Sequence, residues 1–250
     1  YYKNKIFSLD KVEVLVLDEA DRMFDLGFIR DIRYLLRRLP KPDKRLSMLF
    51  SATLSHRVME LAYEHMNNPE LIKIDADKIT ADKIRQAIFF PANQEKIPLL
   101  IGLIKEMENN KIMVFANTKK EVERLDSYLN SNEINAKGIS GDVPQNKRIR
   151  MLDDFEKGKL NVLIATDVAS RGLHIPDIKC VINYDLPQDP EDYVHRIGRT
   201  ARAGTKGNAI SFGCETYAMS LPDIESYIKM KVPVANYKPE SLPEVNYPGK

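Results

Sequence analysis

The chain has 250 residues, 43% of them hydrophobic and 30% charged, with a net charge of +2. That is the balance of a globular chain and excludes wholesale disorder or a fibrous repeat. No apolar run approaches the ~20 residues needed to span a bilayer, and no membrane association is expected. The opening Tyr1-Tyr2-Lys3-Asn4-Lys5 lacks the form of a secretory signal. The two cysteines, Cys180 and Cys214, lie far apart, which offers neither zinc-ligand spacing nor a disulfide framework. A reducing, cytoplasmic setting is the expectation. Basic residues cluster at Arg33, Arg37, Arg38, Lys41, Lys44 and Arg45, at Lys147, Arg148 and Arg150, and at Arg196, Arg199 and Arg202. The first cluster reads as a solvated face.

In chain order, short apolar runs predict strands at Val12–Leu17, Met48–Phe50, Leu71–Ile74, Ala87–Phe90, Ile112–Phe115, Val162–Ala165, Cys180–Ile182 and Ala209–Phe212. Between them, Ile97, Leu100, Ile101, Ile104 and Met107 fall on one helix face, as do Val122, Leu125 and Leu129. Apolar strands alternating with helices predict an α/β fold: a parallel sheet covered on both faces, with right-handed crossovers.

Residues 75–83 are polar and read as a linker. The unit after it, 84–229, holds roughly six strands and can close its own sheet. The unit before it, 1–74, offers three strands, which is thin for a covered parallel sheet. It is expected to be the C-terminal portion of a larger domain. Residues 230–250 contain four prolines and are expected to lie as an extended tail on the second unit or to be disordered.

Ligands of open α/β sheets bind beyond the carboxyl ends of the strands. Five predicted strands run there into small polar or acidic groups: Asp18-Glu19-Ala20-Asp21, Ser51-Ala52-Thr53, Asn117-Thr118, Thr166-Asp167 and Asn183-Tyr184-Asp185. Five such endings together suggest a site for phosphates, a metal, or both. Asp18-Glu19 has the form of a Walker B element, one carboxylate for Mg²⁺ and one group to orient water. For an isolated Asp-Glu pair, capping of the next helix is the commoner role. Arg199 and Arg202, three apart, would share one face of a helix and could clamp a triphosphate. Gly198 argues against an ordinary surface helix there.

Taken in order, Asp18-Glu19-Ala20-Asp21, Ser51-Ala52-Thr53, Phe115-Ala116-Asn117-Thr118, Gln145-Asn146-Lys147-Arg148, Ala165–Gly172 and His195–Arg202 resemble the motifs of the DEAD-box RNA helicase family. The resemblance covers about residues 8–213. It implies two RecA-like domains facing each other, with ATP and Mg²⁺ between them and RNA across both. Asp18 would hold Mg²⁺ through water and Glu19 would position the hydrolytic water. Asp21, Ser51, Thr53 and His195 would couple the domains, and Arg199 and Arg202 would act as arginine fingers. RNA contacts would fall on Arg148, Thr166 and Gly172, with Asp167 and Arg171 shaping the same region. They would address phosphates and 2′-hydroxyls more than base edges. Thr118 and Gln145 also fit capping boxes, Thr118 with Glu121 and Asp142 with Gln145, and a helix-starting role is favoured for both.

The chain contains no Gly-x-x-x-x-Gly-Lys-Ser/Thr. The family's phosphate loop is expected to precede residue 1, and the 250 residues alone are expected not to hydrolyse ATP. His174 stands where the family usually has an acid, and Ala201 where it usually has glycine. The latter change is expected to alter little. Met23–Phe28, Arg171–Pro176, and Cys214–Ala218 with Leu221–Glu225 resemble one bacterial branch of the family that acts in mRNA turnover. That likeness implies the endoribonuclease RNase E as a docking partner. The alternatives are thus a helicase enzyme, an RNA- or protein-docking module without its own catalysis, and a related DNA helicase or translocase, which the motifs disfavour. An incomplete first domain also implies oligomerisation through its open edge.

Overall fold

The computed structural model describes residues 2, 4–25, 27–51, 53–73, 84–107, 110–170, 175, 178–201 and 206–249. The chain divides into two compact units, Tyr1–Ile74 and Asp75–Lys250. The proposed linker 75–83 lies outside the described residues, as do Ala52, Arg171, Gly172, His174 and Arg202.

In the first unit β1 (Val14–Leu17) pairs in parallel with β2 (Leu46–Leu49), Leu17 opposite Leu49. The helices are α1 (Ala20–Asp25), α2 (Ile29–Leu36) and α3 (His56–His65). Leu17, Leu36 and Leu61 form its small core. Val14, Val16 and Leu46 on the strands, with Phe50 just beyond, remain half or more exposed. The strand expected at Leu71–Ile74 is not there: residues 71–73 are irregular, Leu71 and Ile72 are 58% and 79% exposed, and Ile74 is not described. Those apolar residues meet no sheet neighbour that would fix them as a strand.

The first basic cluster is not a simple solvated face. Arg45 is 8% exposed. It donates to the carbonyls of Pro40 and His65 and to the Ser47 hydroxyl, tying the start of β2 to the end of α3. Arg33 pairs with Glu60 and Glu64 of α3 at 3.5 and 3.1 Å.

In the second unit six strands form one parallel sheet in the order β3-β8-β7-β4-β6-β5. They are β3 (Ile84–Phe89), β4 (Ile112–Phe115), β5 (Ala136–Ile139), β6 (Val162–Ala165), β7 (Cys180–Asn183) and β8 (Gly207–Phe212). The helices are α4 (Lys96–Glu106), α5 (Lys119–Ser131), α6 (Gln145–Glu156), the short α7 (Asp167–Ser170), α8 (Pro190–Ile197) and α9 (Leu221–Ile228). Every residue of β4, β6 and β7 is buried, as a sheet covered on both faces requires. Alternation splits the core: Ile112 and Val114 pack under α4 and α5, while Met113 and Phe115 pack with Phe155 of α6. Among the described residues no helix is long and apolar enough to cross a membrane.

Strand β5 is absent from the apolar runs because Lys137 and Gly138 interrupt it. Gly138 is required there, since a Cβ would stand 2.8 Å from Val122 Cγ1 of α5. Thr118 caps α5 by accepting the Glu121 N–H at 3.1 Å, as expected. Asp142 does not cap α6. Pro144 occupies that position, and Asp142 instead pairs with Lys119 at 2.8 Å.

The C-terminal segment lies extended on this unit. Pro233 O accepts from Ile88 N–H at 2.9 Å and Ala235 N–H donates to Ile88 O at 2.8 Å, adding a bridge to the edge strand β3. Tyr237 donates to Glu95 at 2.6 Å, and burial together with that carboxylate pushes its hydroxyl up to about 12. Leu242 and Val245 pack on the core, and Asn132 and Asn246 exchange two 2.9 Å hydrogen bonds. Deleting residues 235–250 removes the packing of Tyr237, Leu242 and Val245 on the core and is expected to cost roughly 3–5 kcal/mol. Urea unfolding followed by far-UV circular dichroism reads this as a lowered midpoint; an unchanged midpoint would show that the tail adds nothing to the fold.

Candidate functional site

Parallel pairing of β1 with β2 delivers two polar loops to one edge of the first unit. Phe50 N–H donates to Leu17 O at 2.7 Å and Ala20 N–H to Phe50 O at 3.0 Å, so the chain beyond each strand stays stitched to the other. Glu19 turns at φ +52°, a left-handed conformation that a non-glycine residue adopts only when its surroundings impose it. Asp18 is exposed, and one of its oxygens accepts the Glu19 N–H at 2.9 Å. It therefore does not bond the second or third N–H of α1, and the capping role is not the one observed.

Asp21 is the centre of this edge and is 7% exposed. One carboxylate oxygen accepts from Thr53 N–H at 3.0 Å and from the Thr53 hydroxyl at 3.2 Å, the other from Arg22 N–H at 3.0 Å. Ser51 Oγ closes the knot, accepting Asp21 N–H at 3.1 Å and donating to Thr53 O at 2.7 Å. Asp21, Ser51 and Thr53 are thus coupled to one another inside the first unit. Burial raises the Asp21 pKa, but the hydrogen bonds from Thr53 and Arg22 outweigh it and hold the carboxyl below its ordinary value. The oxygen donors Asp18 and Glu19 suit a hard divalent cation such as Mg²⁺.

In the second unit β4 and β7 are neighbours whose following connections run to opposite sides of the sheet. Their carboxyl ends form a topological switch point. The largest fully buried side chain among the described residues stands there: Arg196 of α8, 1% exposed. Its Nε and Nη2 donate to the two oxygens of Asp167, both at 2.7 Å. Nη2 also donates to Asn117 Oδ1 at 2.7 Å, and Nη1 donates to Asp185 O at 2.6 Å. Asn117 N–H in turn donates to Asp185 Oδ2 at 3.0 Å, and Lys96 Nζ meets Asp185 Oδ1 at 2.6 Å. Lys96 and Asp185 form a pair 6% and 5% exposed. Sequence reading missed Arg196, Lys96, Asn117 and Asp185 as a constellation. Arg196 sits inside His195–Arg202, and Asn117 and Asp185 end strands, but nothing local shows that one guanidinium joins them.

Asp167 therefore holds Arg196, with both of its carboxylate oxygens engaged by the guanidinium. The Thr166 hydroxyl accepts the Ala169 N–H at 3.3 Å, which starts α7. Arg148 lies half-buried on α6 and donates to Ser140 O at 3.2 Å. His195 is half-buried on α8 beside Arg196. The expectation that Arg199 and Arg202 share a helix face is not met: α8 ends at Ile197, Gly198 is its C-cap, and Arg199 follows the helix. Arg202 lies outside the described residues. The methyl at Ala201 is not neutral either. Its φ is +56°, where glycine is favoured, and a side chain there costs about 1 kcal/mol.

Because the Asp21 pKa is lowered on folding, its contribution to stability is present above the unfolded value and lost as pH falls through the folded one. A ¹³C-carboxyl titration is expected to place the Asp21 midpoint below 3.8. Between about pH 5 and pH 3 the wild type should lose more stability than Asp21→Asn; equal losses would contradict the knot.

Comparison with known proteins agrees with this geometry. The DEAD/DEAH box helicase family matches residues 2–61, and the helicase conserved C-terminal domain matches residues 95–204. The chain is 58% identical over 240 residues to the ATP-dependent RNA helicase RhlB of Xanthomonas axonopodis pv. citri, across 96% of this chain and 42% of that protein. It thus spans less than half the length of that relative. S. cerevisiae Dbp5 bound to RNA and ADP BeF3 is 34% identical with a TM-score of 0.83, covering 94% of this chain and 62% of that one. E. coli DEAD-box protein SrmB bound to the regulator of ribonuclease activity A is 35% identical with a TM-score of 0.61, covering 68% of this chain and 99% of that one. The parallel sheet with its covering helices is RecA-like. With both family patterns matched in chain order over the strand-end residues described above, the chain belongs to the DEAD-box helicase family.

Proposed function

We propose that these residues are the later part of an ATP-dependent RNA helicase that remodels RNA duplexes in cytoplasmic bacterial mRNA turnover. The observation that carries this reading is the Asp21–Ser51–Thr53 knot, which fixes Asp18 and Glu19 at the open edge of a parallel pair. Asp18 would hold Mg²⁺ through water, and the ion when bound would supply neutralising charge for the phosphates of ATP. Glu19 orients the attacking water. Arg199 and Arg202 donate to the phosphoryl oxygens as charge builds there, and His195 couples with Asp21, Ser51 and Thr53 as hydrolysis proceeds. Arg148, Thr166, Arg171 and Gly172 contact the RNA backbone, while Asp167, committed to Arg196, holds that segment in place. A carboxylate facing a phosphate would repel it, which supports the positioning part for Asp167.

The first unit is proposed to be the C-terminal portion of its domain, residues 75–83 the linker, and 84–229 the second RecA-like domain with 230–250 as its tail. The exposed Val14, Val16, Leu46 and Phe50 support the first assignment. They also make self-association of the isolated chain the expectation. Light scattering behind size exclusion checks this, and a monomer at every concentration would remove it.

A second reading, protein docking, is favoured by one observation: the SrmB structure, covering 68% of this chain, was solved with a regulator of ribonuclease activity bound. In this reading the second unit docks a protein of the RNA-degrading machinery such as RNase E.

RNA-stimulated ATP hydrolysis separates the readings, measured on these 250 residues and on a longer chain that supplies a phosphate-loop segment. Hydrolysis by the longer chain alone, reduced roughly 10³-fold in Arg199→Ala, is the expected result. Hydrolysis by the shorter chain would overturn the account of the nucleotide site. None in either would favour docking.

A further inference from the structure

We propose that Lys96 is a positioning residue: acting through Asp185, it holds Asn117 and Arg196 and thereby sets the segments that carry Arg199 and Asp167. The inference rests on the ATP-dependent reading above for its kinetic consequence, and on the geometry of the second unit for everything else.

Lys96 opens α4, yet its side chain is turned inward and is only 6% exposed. Its ammonium stands 2.6 Å from Asp185 Oδ1 and 4.0 Å above the Tyr184 ring. A buried ammonium loses its hydration, so it stays charged only where a carboxylate and a ring face replace water. Asp185 has no freedom left once paired. Its second oxygen takes the Asn117 N–H, its carbonyl takes Arg196 Nη1, and its own N–H donates to Phe115 O at 3.3 Å. Asn117 is fixed further by donating to Leu186 O at 2.9 Å, which leaves its side-chain oxygen aimed at Arg196 Nη2.

The path continues to the candidate site through the backbone. Arg196 O accepts the Arg199 N–H at 3.1 Å, while Gly198 N–H donates back to Val194 O at 2.9 Å, so Arg199 is tied directly to Arg196 in the turn leaving α8. On the other side Arg196 grips both oxygens of Asp167, the first residue of α7. A shift of Asp185 would therefore reach Arg199 and the α7 segment together. Lys96 touches neither directly. A pair present only for stability would leave the conformation of Arg196 unchanged once removed; a positioning pair would not.

Lys96→Met removes the charge and keeps the apolar stem. The direct probe is the Arg196 Nε–H signal of the ¹⁵N-arginine-labelled chain, identified by its loss in Arg196→Lys. In a Lys96→Met chain that retains its far-UV circular dichroism, solvent exchange of this proton should rise at least about tenfold. In the longer chain that hydrolyses ATP, kcat should fall at least about tenfold while KM for ATP stays within about twofold. A folded variant with unchanged exchange and unchanged kcat would overturn the proposal. Should Lys96→Met not fold, the neutral pair Lys96→Gln with Asp185→Asn replaces it under the same criteria. If the wild-type longer chain shows no RNA-stimulated hydrolysis, the ATP reading fails by itself, and the exchange of Arg196 Nε–H alone decides whether Lys96 positions it.

Discussion

A charged guanidinium sealed inside a protein is tolerated only when its donors find partners, because the hydration it gives up is worth several kcal/mol. Arg196 meets that condition with one carboxylate, the amide oxygens of Asn117 and Asn183 and one carbonyl, drawn from three chain segments. Asp167 follows β6, Asn117 follows β4 and Asp185 follows β7. The guanidinium therefore couples the carboxyl ends of three adjacent strands, and a slip of any one of them would strand a buried charge. The same contact fastens α8 to the β7-β4-β6 centre of the sheet.

The two units reach a similar end by different chemistry. In the second, ion pairs at the strand ends are buried under helices on both faces. In the first, the sheet has two strands, and the polar edge is held by a carboxylate that collects backbone and hydroxyl donors. The difference follows from the amount of cover. A deep core encloses Lys96, Asp185 and Arg196 together, whereas the thin one buries Asp21 among backbone and hydroxyl donors and Arg45 against two carbonyls and a hydroxyl. In both units the residues suited to chemistry stand just beyond the rigid part: Asp18 and Glu19 before Asp21, and Arg199 after Arg196. The exposed carboxylate of Asp18 beside the buried Asp21 is an accessible group next to a firm anchor, the arrangement that preorganised catalysis needs.

The edges of the sheet are managed unequally. The C-terminal segment covers β3 with hydrogen bonds to both sides of Ile88 and with Tyr237, Leu242 and Val245 against the core. The opposite edge, β5, is short and carries a lysine and a glycine, features that discourage further pairing. Proline-rich composition had left the tail's fate open between docking and disorder. The outcome turned on Glu95, Asn132 and Ile88, none of which is near it in sequence.

The α/β class, most of the strands and the polar strand ends were legible in the residue order. A buried parallel strand leaves a short apolar run, and a functional loop leaves small polar residues after it, so both signals are local. Strand β5 escaped because it packs through Gly138 and so lacks an apolar run. Leu71 and Ile72 misled because apolar residues form a strand only beside another strand. Motif order pointed to Asp21, Ser51, Thr53 and Asp167, but not to which groups each would bond. Lys96 and Asp185 are 89 positions apart, and Arg196 lies 79 from Asn117. Such pairings carry no periodicity, and a lysine at a helix start looks the same whether it faces water or a buried carboxylate. Local sequence thus determined where strands end and which chemical groups stand there. The choice of partner for each buried charge came only with the folded sheet, because desolvation makes pairing obligatory once distant segments have been brought together.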